Sequence, residues 1–522
     1  TVYHPRHSRR ACCSHSNMVN CKYAIMSKVS PHIFRAYDIR GIADDTVTEE
    51  FCTLVGKAFG SELRERYGFD KLTAGKKDAP EVIVGRDART HSPKLEQALI
   101  EGLTSTGCSV KTIGQTPSPV NYFAVCHTKA DGSAQVTASH NAGTDNGLKL
   151  QIRDAEAFSG DELQNLRKRI EEERFLEGEG SVEELDAVTP YIEKVLSVVA
   201  SHKSQVAGPD DLRPETCDLK VVVDFGNGVS GPVYQSVFEE AGIEIIPLFA
   251  EPDGTFPNHI ADPTKRETLT DLIASVQKEK ADCGIAFDGD GDRVGFVDEN
   301  GEIISADQIL LLLAEDHLDR NPGASIVYTC AMSSILETEV QKLGGDPKMC
   351  IVGHSFVEHA MKEFGSHLGG EQSGHFFCGE DFYDHDDALV TALRVLSIFT
   401  GHKSAGRQIT SQPATCDMGP VTFSSLFNNY PQVFLAPEWR PRCDDHKKTE
   451  VVKRITEHFQ KNYPCETMDG VRIDFGDGAW AGVRQSNTSP KISICMEARS
   501  EERLDEIEKI VREHLGEYEE IG

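Results

Sequence analysis

Residues 283 to 304 read CGIAFDGDGDRVGFVDENGEII, in which an apolar run, an acidic loop and a second apolar run follow one another. The run CGIAF is typical of a buried β-strand, and VGFVDENGEII reads as a hairpin whose turn falls at Asn300-Gly301. The stretch therefore predicts a strand, a polar loop at its end and then a hairpin.

The acidic loop at residues 288 to 293, called the aspartate loop below, places Asp288, Asp290 and Asp292 on alternate positions before Arg293. Two like charges about 4 Å apart repel by roughly 4 kcal/mol at an effective dielectric near 20, so three crowded carboxylates call for a cation or heavy solvation. The intervening glycines let the backbone curl tightly, and oxygen ligands suit a hard divalent ion. Two alternatives are a solvated acidic turn and an EF-hand loop. The EF-hand would put Glu299 at its twelfth position, but Arg293 occupies the sixth, where glycine is needed.

Outside this stretch, short β-rich runs alternate with helical patterns through the first 400 residues, which is typical of βαβ units with mostly parallel sheets. Three runs end in a loop of special composition: EVIVGRDART (81 to 90), KVVVDFGNGVSG (220 to 231) and SIVYTCAMSS (325 to 334). Their spacing predicts three similar α/β domains with mixed or parallel sheets. Ligands bind beyond the carboxyl ends of strands in open α/β sheets, so motifs at strand ends are expected to meet in one central cleft.

From about Asp417 the pattern changes to a helix (KKTEVVKRITEHFQK), a hairpin (VRIDFGDGAWAGVRQ), a strand (KISICMEA) and a last helix (EERLDEIEKIVREHL), which predicts an α+β domain. The charged, helix-prone stretch from Ser159 to Ala200 is expected to connect the first and second domains. The predicted segments are a leader at 1–30, α/β domains at 31–190, 191–305 and 306–416, and the α+β domain at 417–522.

The composition limits the kind of protein. The 39% of hydrophobic and 26% of charged residues in a chain of 522 are typical of a soluble globular protein of three or four domains, and no apolar stretch approaches the roughly 18 residues of a membrane helix. A net charge of −30 disfavours nucleic-acid binding, so an anionic substrate needs locally concentrated Arg, Lys and N–H groups. Fifteen cysteines without a CxxC pair indicate reduced thiols in an intracellular compartment.

Residues 1 to 30 contain no Asp or Glu but five Arg or Lys residues among several serines. This composition resembles a transit peptide, which would place the protein in a plastid or other organelle stroma. The alternative is an untranslated or vector-derived leader, with Met18 or Met26 as the true start and the cytoplasm as the compartment.

A second motif, TASHNAGTDNGLKL (137 to 150), carries Ser139 and His140 on a Gly- and Asn-rich loop after the predicted strand AQVT. Adjacent Ser and His side chains seldom form a nucleophile and its base, but Lys149 follows ten residues after Ser139. A phosphorylated serine carries about −1.5 to −2 charges and three strong acceptors, which makes it a ligand for a cation. The sequence thus predicts Mg²⁺ between a phosphoserine at Ser139 and the aspartate loop.

Two further segments are rich in ligand-binding side chains. GGEQSGHFF (369 to 377) sets Glu371, Ser373 and His375 on alternate positions, which would face one way in an extended loop and match sugar hydroxyls. VRQSNTSP (483 to 490) offers a guanidinium fork with hydroxyl and N–H donors for a phosphate. Its donors are Arg484, Ser486, Asn487 and Thr488. The alternatives are an ordinary polar loop and an ST-turn.

TASHN, DGDGDR, GEQSGH and RQSNT, in this order between residues 34 and 498, resemble the motifs of the α-D-phosphohexomutase family, which includes phosphomannomutases, phosphoglucomutases and phosphoglucosamine mutases. FRAYDIRG (34 to 41), VGHSF (352 to 356) and the C-terminal SNT look most like the phosphomannomutase/phosphoglucomutase branch, whereas GEQSGH is also common in the phosphoglucosamine branch. The resemblance implies three related α/β domains around a central cleft and a C-terminal domain that closes over the substrate phosphate.

The resemblance also implies a role for each matching residue. The implied magnesium ligands are Ser139, Asp288, Asp290 and Asp292. The implied catalytic residues are the phosphoserine Ser139, Lys149 and Arg40 for proton transfer, and His140 near the transferring phosphoryl group. The implied substrate contacts are Arg293 and His354 for positioning, Glu371, Ser373 and His375 for the sugar, and Arg484, Ser486, Asn487 and Thr488 for the distant phosphate.

Two single positions and one segment depart from the family pattern. Ala142 replaces a proline, which should loosen its loop, and Asp145 replaces an aromatic residue. VYTCAMSS stands where the family often has VYDVKCSR, so a lysine and an arginine are absent.

The resemblance implies an isomerase that moves phosphate between O1 and O6 of mannose and/or glucose through a phosphoserine and a hexose 1,6-bisphosphate. The expected partners are hexose phosphates and this bisphosphate, with no nucleic acid and no membrane, and the chain is expected to be a monomer or weak dimer. Two alternatives stay open. One is a phosphoglucosamine mutase, and the other is a catalytically weak sugar-phosphate-binding member, which the absent basic residues favour.

Overall fold

Four β-sheets follow one another along the residues that the computed structural model describes, which are 29–69, 79–206, 219–405, 421–486 and 489–522. The predicted leader and the predicted ligands Asn487 and Thr488 lie outside these residues, apart from Val29 and Ser30. The first three sheets are mixed, with parallel central strands, and the fourth is antiparallel. This confirms the predicted fold class, three α/β domains followed by an α+β domain.

The first domain is built on a six-stranded sheet. Its strands are β1 (Ile39–Ile42), β2 (Glu81–Arg86), β3 (Ser109–Gln115), β4 (Gly132–Val136), β5 (Asp145–Ile152) and β6 (Ser181–Glu184). Its helices are α1 (Glu49–Tyr67), α2 (Ser92–Thr104), α3 (Ser118–Thr128) and α4 (Asp161–Glu171). The sheet order is β1-β5-β4-β2-β3-β6. Helix α1 begins after Thr48, whose side chain accepts a hydrogen bond from the Phe51 N–H, and ends at Gly68, where φ is +72°.

The second domain has a five-stranded sheet. Its strands are β7 (Lys220–Asp224), β8 (Glu244–Leu248), β9 (Cys283–Phe287), β10 (Val294–Asp298) and β11 (Ile303–Ile304), in the order β11-β10-β9-β7-β8. Its helices are α5 (Val188–Val206), α6 (Gly231–Glu240) and α7 (Thr270–Glu279). The predicted strand CGIAF is β9, and the predicted hairpin turn joins β10 to β11, so both predictions are confirmed. The boundary placed between residues 190 and 191 falls inside α5.

The third domain has a four-stranded sheet. Its strands are β12 (Ser325–Thr329), β13 (Asp346–Cys350), β14 (Leu368–Gly370) and β15 (Phe376–Cys378), in the order β13-β12-β14-β15. Its helices are α8 (Ala306–Arg320), α9 (Ile335–Lys342), α10 (His354–Phe364) and α11 (Ala388–Ala405). Helix α8 begins with a capping box between Ser305 and Gln308.

Each of these three sheets repeats the same four-strand unit. In each unit, one strand (β2, β7 or β12) has a parallel neighbour on both sides, and an antiparallel strand (β5, β10 or β15) follows one of those neighbours. The motifs TASHN, DGDGDR and GEQSGH all lie in the connection that leads into the antiparallel strand. The repeated topology therefore gives three loops equivalent positions, which lets them face one cleft.

The C-terminal domain has an antiparallel sheet with two helices. Its strands are β16 (Phe434–Leu435), β17 (Cys465–Glu466), β18 (Val471–Gly476), β19 (Ala479–Gln485) and β20 (Ile492–Ala498), in the order β16-β20-β19-β18-β17. Its helices are α12 (Asp445–Phe459) and α13 (Glu501–Leu515). The predicted helix, hairpin, strand and last helix are all confirmed. Within the described ranges, no helix has the length and apolar character needed to cross a membrane.

Candidate active site

Ser139 lies in the serine loop (residues 137 to 144) between β4 and β5, and it is fully buried. Its φ of +50° is left-handed, a conformation that costs an L-residue about 1–2 kcal/mol. Its Oγ donates to Asp288 Oδ2 at 2.6 Å and lies 3.2 Å from His140 Nδ1. The predicted meeting of the serine and aspartate loops is therefore present, 149 residues apart in sequence.

The aspartate loop is a tight turn wrapped around the carboxylate of Asp288. Its Oδ1 accepts backbone hydrogen bonds from Gly291, Asp292 and Arg293 at 2.9, 3.1 and 3.2 Å. Gly291 has a φ of +79°, and a Cβ on Gly289 would lie 2.5 Å from the carbonyl oxygen of Ser139. Glycine is thus required at both positions, once for conformation and once for the close approach of the two loops.

The three aspartates offer an oxygen site that fits a divalent metal. All three are fully buried, and one carboxylate oxygen from each lies within 4.8 Å of the others. Asp290 Oδ1 and Asp292 Oδ1 have no hydrogen-bond partner among the described residues, which is costly unless a cation binds them. The EF-hand alternative is wrong, because Glu299 is held by the backbone N–H and hydroxyl of Ser424 at 3.0 and 2.6 Å.

Lys149, on β5, brings a cation to the same carboxylates. Its Nζ donates to Asp290 Oδ2 at 2.7 Å and also to Asp292 Oδ2. Burial alone would lower the pKa of Lys149, but these carboxylates outweigh it and raise that pKa well above its usual value. Ser118 at the start of α3 donates its hydroxyl to Asp290 Oδ2 at 2.6 Å, so the positive end of a helix dipole also faces this loop.

Arg40, on β1, also contacts the serine loop. Its Nε donates to Asp38 Oδ2 at 2.5 Å, and its Nη1 donates to Asn141 Oδ1 at 3.2 Å. His140 is close by, and its burial, together with the charges of Arg293 and Arg40, lowers its pKa well below the usual value. His140 is therefore neutral near pH 7 and adds no repulsion toward the two arginines.

Arg293, His375 and Asp386 form a buried chain beside the aspartate loop. Arg293 Nε donates to His375 Nε2 at 2.8 Å, and His375 Nδ1 lies 2.7 Å from Asp386 Oδ2. Because Nε2 accepts, Nδ1 carries the proton and donates to Asp386. Burial lowers the pKa of His375 to about 4, which agrees with a neutral ring. Arg293 is thus held through its Nε, and its other guanidinium N–H groups donate no hydrogen bond to the residues that the structure describes.

The sugar loop, residues 371 to 375, differs from its predicted shape. It is a tight turn and not an extended loop, because the Glu371 N–H donates to the His375 carbonyl at 3.0 Å and the Gly374 N–H donates to the Glu371 carbonyl at 3.1 Å. Its side chains still converge: Ser373 Oγ donates to Glu371 Oε1 at 2.6 Å, and that oxygen lies 3.7 Å from His375 Nε2. The extended conformation predicted for this loop was wrong, but the three side chains do lie close together.

His354, at the start of α10, joins the sugar loop to the first domain. Its ring stacks on His375 with centroids 5.3 Å apart and meets Tyr37 edge-on at 4.9 Å. The Gly353 N–H donates to Glu371 Oε2 at 3.1 Å. His354 Nε2 is buried without a partner among the described residues, so it remains able to bind a ligand.

The C-terminal domain brings Arg484 close to the third domain through Asp469. The Val352 N–H of the third domain donates to Asp469 Oδ2 at 3.2 Å, and that oxygen lies 3.9 Å from Arg484 Nη1. Arg484 Nε has no partner within the described ranges. Lys448 Nζ donates to the Ser486 carbonyl at 2.8 Å and fixes the end of β19.

The segment that lacks the two family basic residues packs against the C-terminal domain. Ala331 contacts Trp480 and Cys495, and Arg472 lies over the Trp480 ring at 3.5 Å. The Ser334 hydroxyl donates to Glu497 at 2.6 Å. The absent basic side chains are therefore replaced by an apolar and hydrogen-bonded domain contact.

Sequence reasoning missed several residues that build this site. They are Asp38, Arg89, Ser118, Asp386 and Lys448, which hold predicted site residues or their loops in place. The conspicuous loop GRDART contains Arg89 and was a usable signal. Asp38 lies in the quoted motif FRAYDIRG, which was a second signal, whereas Ser118, Asp386 and Lys448 have no local pattern that sets them apart.

Four domain families match the chain in order. They are described as phosphoglucomutase/phosphomannomutase alpha/beta/alpha domains I, II and III, at residues 31–177, 189–301 and 305–415, and the C-terminal domain at residues 438–514.

Full-length relatives agree with these matches. The phosphomannomutase/phosphoglucomutase of Pseudomonas aeruginosa is 37% identical over 92% of this chain and 95% of its own. The phosphoglucomutase of Neisseria gonorrhoeae is 32% identical over 92% of this chain and 96% of its own. The crystal structure of a phosphoglucomutase/phosphomannomutase family protein from Burkholderia thailandensis has a TM-score of 0.78 and 35% identity, covering 93% of this chain and 97% of that one. The chain therefore belongs to the phosphoglucomutase/phosphomannomutase family.

Proposed function

We propose that the cleft interconverts mannose and/or glucose 1-phosphate and 6-phosphate, with Ser139 as the phosphoryl carrier and Mg²⁺ at the aspartate loop. Membership of the family makes the chain an intramolecular phosphotransferase of hexose phosphates. The observation that supports the detailed proposal best is the 2.6 Å contact between Ser139 Oγ and Asp288, beside the buried groups of Lys149 and Arg293.

The reaction balances without any further reactant. Phosphoserine transfers its phosphoryl group to the free hydroxyl of a hexose monophosphate: the bond from Ser139 Oγ to phosphorus breaks, a bond from the sugar oxygen to phosphorus forms, and the hydroxyl proton passes to Ser139 Oγ, which gives a hexose 1,6-bisphosphate and a free serine. The bisphosphate turns over in the cleft and returns its other phosphoryl group to Ser139. Phosphoryl transfer has a loose transition state, so positioning and charge stabilisation supply most of the catalysis.

The aspartate loop would hold Mg²⁺ through Asp288, Asp290 and Asp292 together with Ser139. A bound divalent ion would supply charge stabilisation to the transferring phosphoryl oxygens. Lys149 stays protonated beside the same carboxylates and adds positive charge at this point. Arg293, which donates to His375 of the third domain, adds a second positive charge 3.9 Å from Asp288 Oδ2.

Substrate orientation falls to the sugar loop and the C-terminal domain. Glu371 and Ser373 offer a hydrogen-bonded pair of oxygens for sugar hydroxyls. Arg484 would bind the phosphate that is not being transferred, and Asn487 and Thr488 stay predicted partners of that phosphate. In a chain with a net charge of −30, the basic groups of Lys149, Arg293 and Arg484 would concentrate positive potential where an anionic substrate binds.

A coupled assay with mannose 1-phosphate, glucose 1-phosphate and glucosamine 1-phosphate tests this proposal. We expect turnover of mannose and/or glucose 1-phosphate, with glucosamine 1-phosphate the poorest substrate. Preference for glucosamine 1-phosphate would replace the proposal by a phosphoglucosamine mutase. Tight binding of all three without turnover would identify the weak sugar-phosphate binder, which the packing of Ala331 against Trp480 would then explain.

Arg484→Lys is expected to weaken binding of both the 1-phosphate and the 6-phosphate by about tenfold, because lysine keeps the charge but loses the planar fork. Calorimetry in a Ser139→Ala background measures binding without phosphoryl transfer. Arg442→Lys is the control, since Arg442 belongs to the same domain but its side chain is 78% exposed. Loss of affinity for only one ligand would show that the two orientations use different phosphate sites.

A further inference from the structure

Arg89, three residues beyond β2, uses its whole guanidinium to hold the serine loop. Its Nε donates to Asp87 Oδ2 at 3.0 Å, and its four remaining N–H groups all reach backbone carbonyls. These carbonyl oxygens are those of Ser139 at 2.7 Å, Asn141 at 2.7 Å, Ala142 at 2.6 Å and Asp145 at 2.9 Å. All five donors of one side chain are therefore satisfied, and four of them hold a single short segment.

The surroundings of Arg89 fix the guanidinium in turn. The residue is 1% exposed, and the ring of Phe256 from the second domain covers it at 5.1 Å. A Cβ on Gly254 would lie 2.4 Å from the Ala88 carbonyl oxygen, so the second domain packs directly on this turn. Arg89 is thus enclosed between two domains, next to the point where the serine and aspartate loops meet.

This arrangement controls the conformation of the nucleophile. In a planar trans peptide the C=O and N–H groups point in opposite directions, so the N–H groups of His140, Ala142 and Gly143 turn away from Arg89. The hydrogen bond to the Ser139 carbonyl stabilises a residue whose φ is left-handed. Ala142 lacks the pyrrolidine ring of the proline that the family has at this position. Arg89 restrains the backbone there instead, by donating to the Ala142 carbonyl.

We propose that Arg89 is a positioning residue for phosphoryl transfer, which keeps Ser139 Oγ aimed at the aspartate loop without touching substrate. This inference rests on the proposed role of Ser139. It predicts that a change at Arg89 alters the rate of phosphoryl transfer much more than the affinity for a sugar phosphate, since the sugar and phosphate residues belong to other domains.

The test is Arg89→Lys, which keeps the buried charge but cannot reach four carbonyls. Glucose 1,6-bisphosphate is mixed with dephosphorylated enzyme, and phosphorylation of Ser139 is followed by quenched flow and intact mass. We expect the rate to fall about 100-fold, because small misplacements of reacting groups cost that much. The Kd of glucose 6-phosphate should change less than about twofold. Hydrogen exchange in a peptide spanning residues 137 to 145 should become faster.

Arg64→Lys is the matched control. Arg64 is another arginine of the first domain that donates to two backbone carbonyls, those of Thr106 and Glu177 at 2.7 and 3.0 Å, but it lies away from the serine loop. We expect Arg64→Lys to leave both the phosphorylation rate and the Kd within about twofold of the wild-type values, which is the behaviour of an arginine with a purely structural role.

Two results would overturn the proposal: a folded Arg89→Lys enzyme that phosphorylates Ser139 within threefold of the wild-type rate, or an equal loss of rate and affinity.

If Arg89→Lys does not fold, Phe256→Leu is the variant that tests the proposal, because it removes the aromatic ring that covers the Arg89 guanidinium. Faster exchange of the serine loop in that variant supports the proposal, and unchanged exchange refutes it. Wild-type enzyme that takes no phosphate on Ser139 would refute the role of Ser139 and this inference with it, whereas normal wild-type labelling with an unaffected Arg89→Lys refutes the inference alone.

Discussion

Ser139→Ala should lower kcat/KM by a factor on the order of 10⁴ or more, because the substitution removes the oxygen that we propose as the phosphoryl carrier. In the structure this oxygen is the only side-chain polar atom of Ser139, and it donates to Asp288 at 2.6 Å. A coupled assay of glucose 1-phosphate and mannose 1-phosphate conversion measures the loss. Intact mass and phosphopeptide mapping should find substoichiometric phosphate on Ser139 in the wild-type enzyme as isolated and none in the variant.

The matched control is Ser133→Ala. Ser133 is a buried serine of β4 whose Oγ donates to Gln151 Oε1 at 2.9 Å, so its removal also deletes one buried hydrogen bond. Both variants should lose about 1 kcal/mol of unfolding free energy, but only Ser139→Ala should lose activity. Full activity in Ser139→Ala would refute the phosphoserine mechanism.

The elements that the sequence predicted correctly are those whose signal is local. An apolar run before Asp288 indicates a strand, and the dipeptide Asn300-Gly301 between two apolar runs indicates a hairpin turn. Both signals depend on chain stiffness and turn geometry, which act over only a few residues. The last helix was predicted for the same reason, because its polar and apolar residues repeat at the helical period between Glu501 and Leu515.

The family resemblance located the motif loops but not what holds them. Ser118 and Asp290 are 172 residues apart, and Arg293 and His375 are 82 apart, so no local pattern connects either pair. In the sugar loop, by contrast, a local pattern was present but led to the wrong conformation. Alternation at residues 371 to 375 suggested an extended segment, but two backbone hydrogen bonds close it into a turn that tertiary packing between β14 and β15 selects.

Removal of metal should abolish turnover, and Asp290→Asn should lower kcat by about 10²-fold or more in saturating Mg²⁺, since one charged oxygen ligand becomes a neutral amide. Chelation followed by titration with Mg²⁺, Mn²⁺ or Ca²⁺ would identify the metal that supports the coupled reaction.

Asp298→Asn is the control. Asp298 ends β10, the strand that follows the aspartate loop, and its Oδ1 accepts hydrogen bonds from the N–H groups of Asn300 and Glu302, which an asparagine oxygen can still do. Asp298→Asn should retain activity, and a metal-independent rate after chelation would refute the aspartate-loop assignment.

The effect of Asp290→Asn on stability separates the metal role from a structural one. Loss of one negative charge relieves repulsion among the carboxylates, but it also weakens the hydrogen bonds that Asp290 Oδ2 accepts from Lys149 and Ser118. Because these effects oppose each other, the unfolding free energy without metal should change by less than about 2 kcal/mol. Added Mg²⁺ should then stabilise the wild-type protein, because a ligand that binds only the folded state raises its stability in proportion to RT ln(1 + [L]/Kd). The same addition should stabilise Asp290→Asn much less. Equal stabilisation of both proteins by Mg²⁺ would mean that the ion binds elsewhere, and that the three aspartates interact only with the protein groups around them.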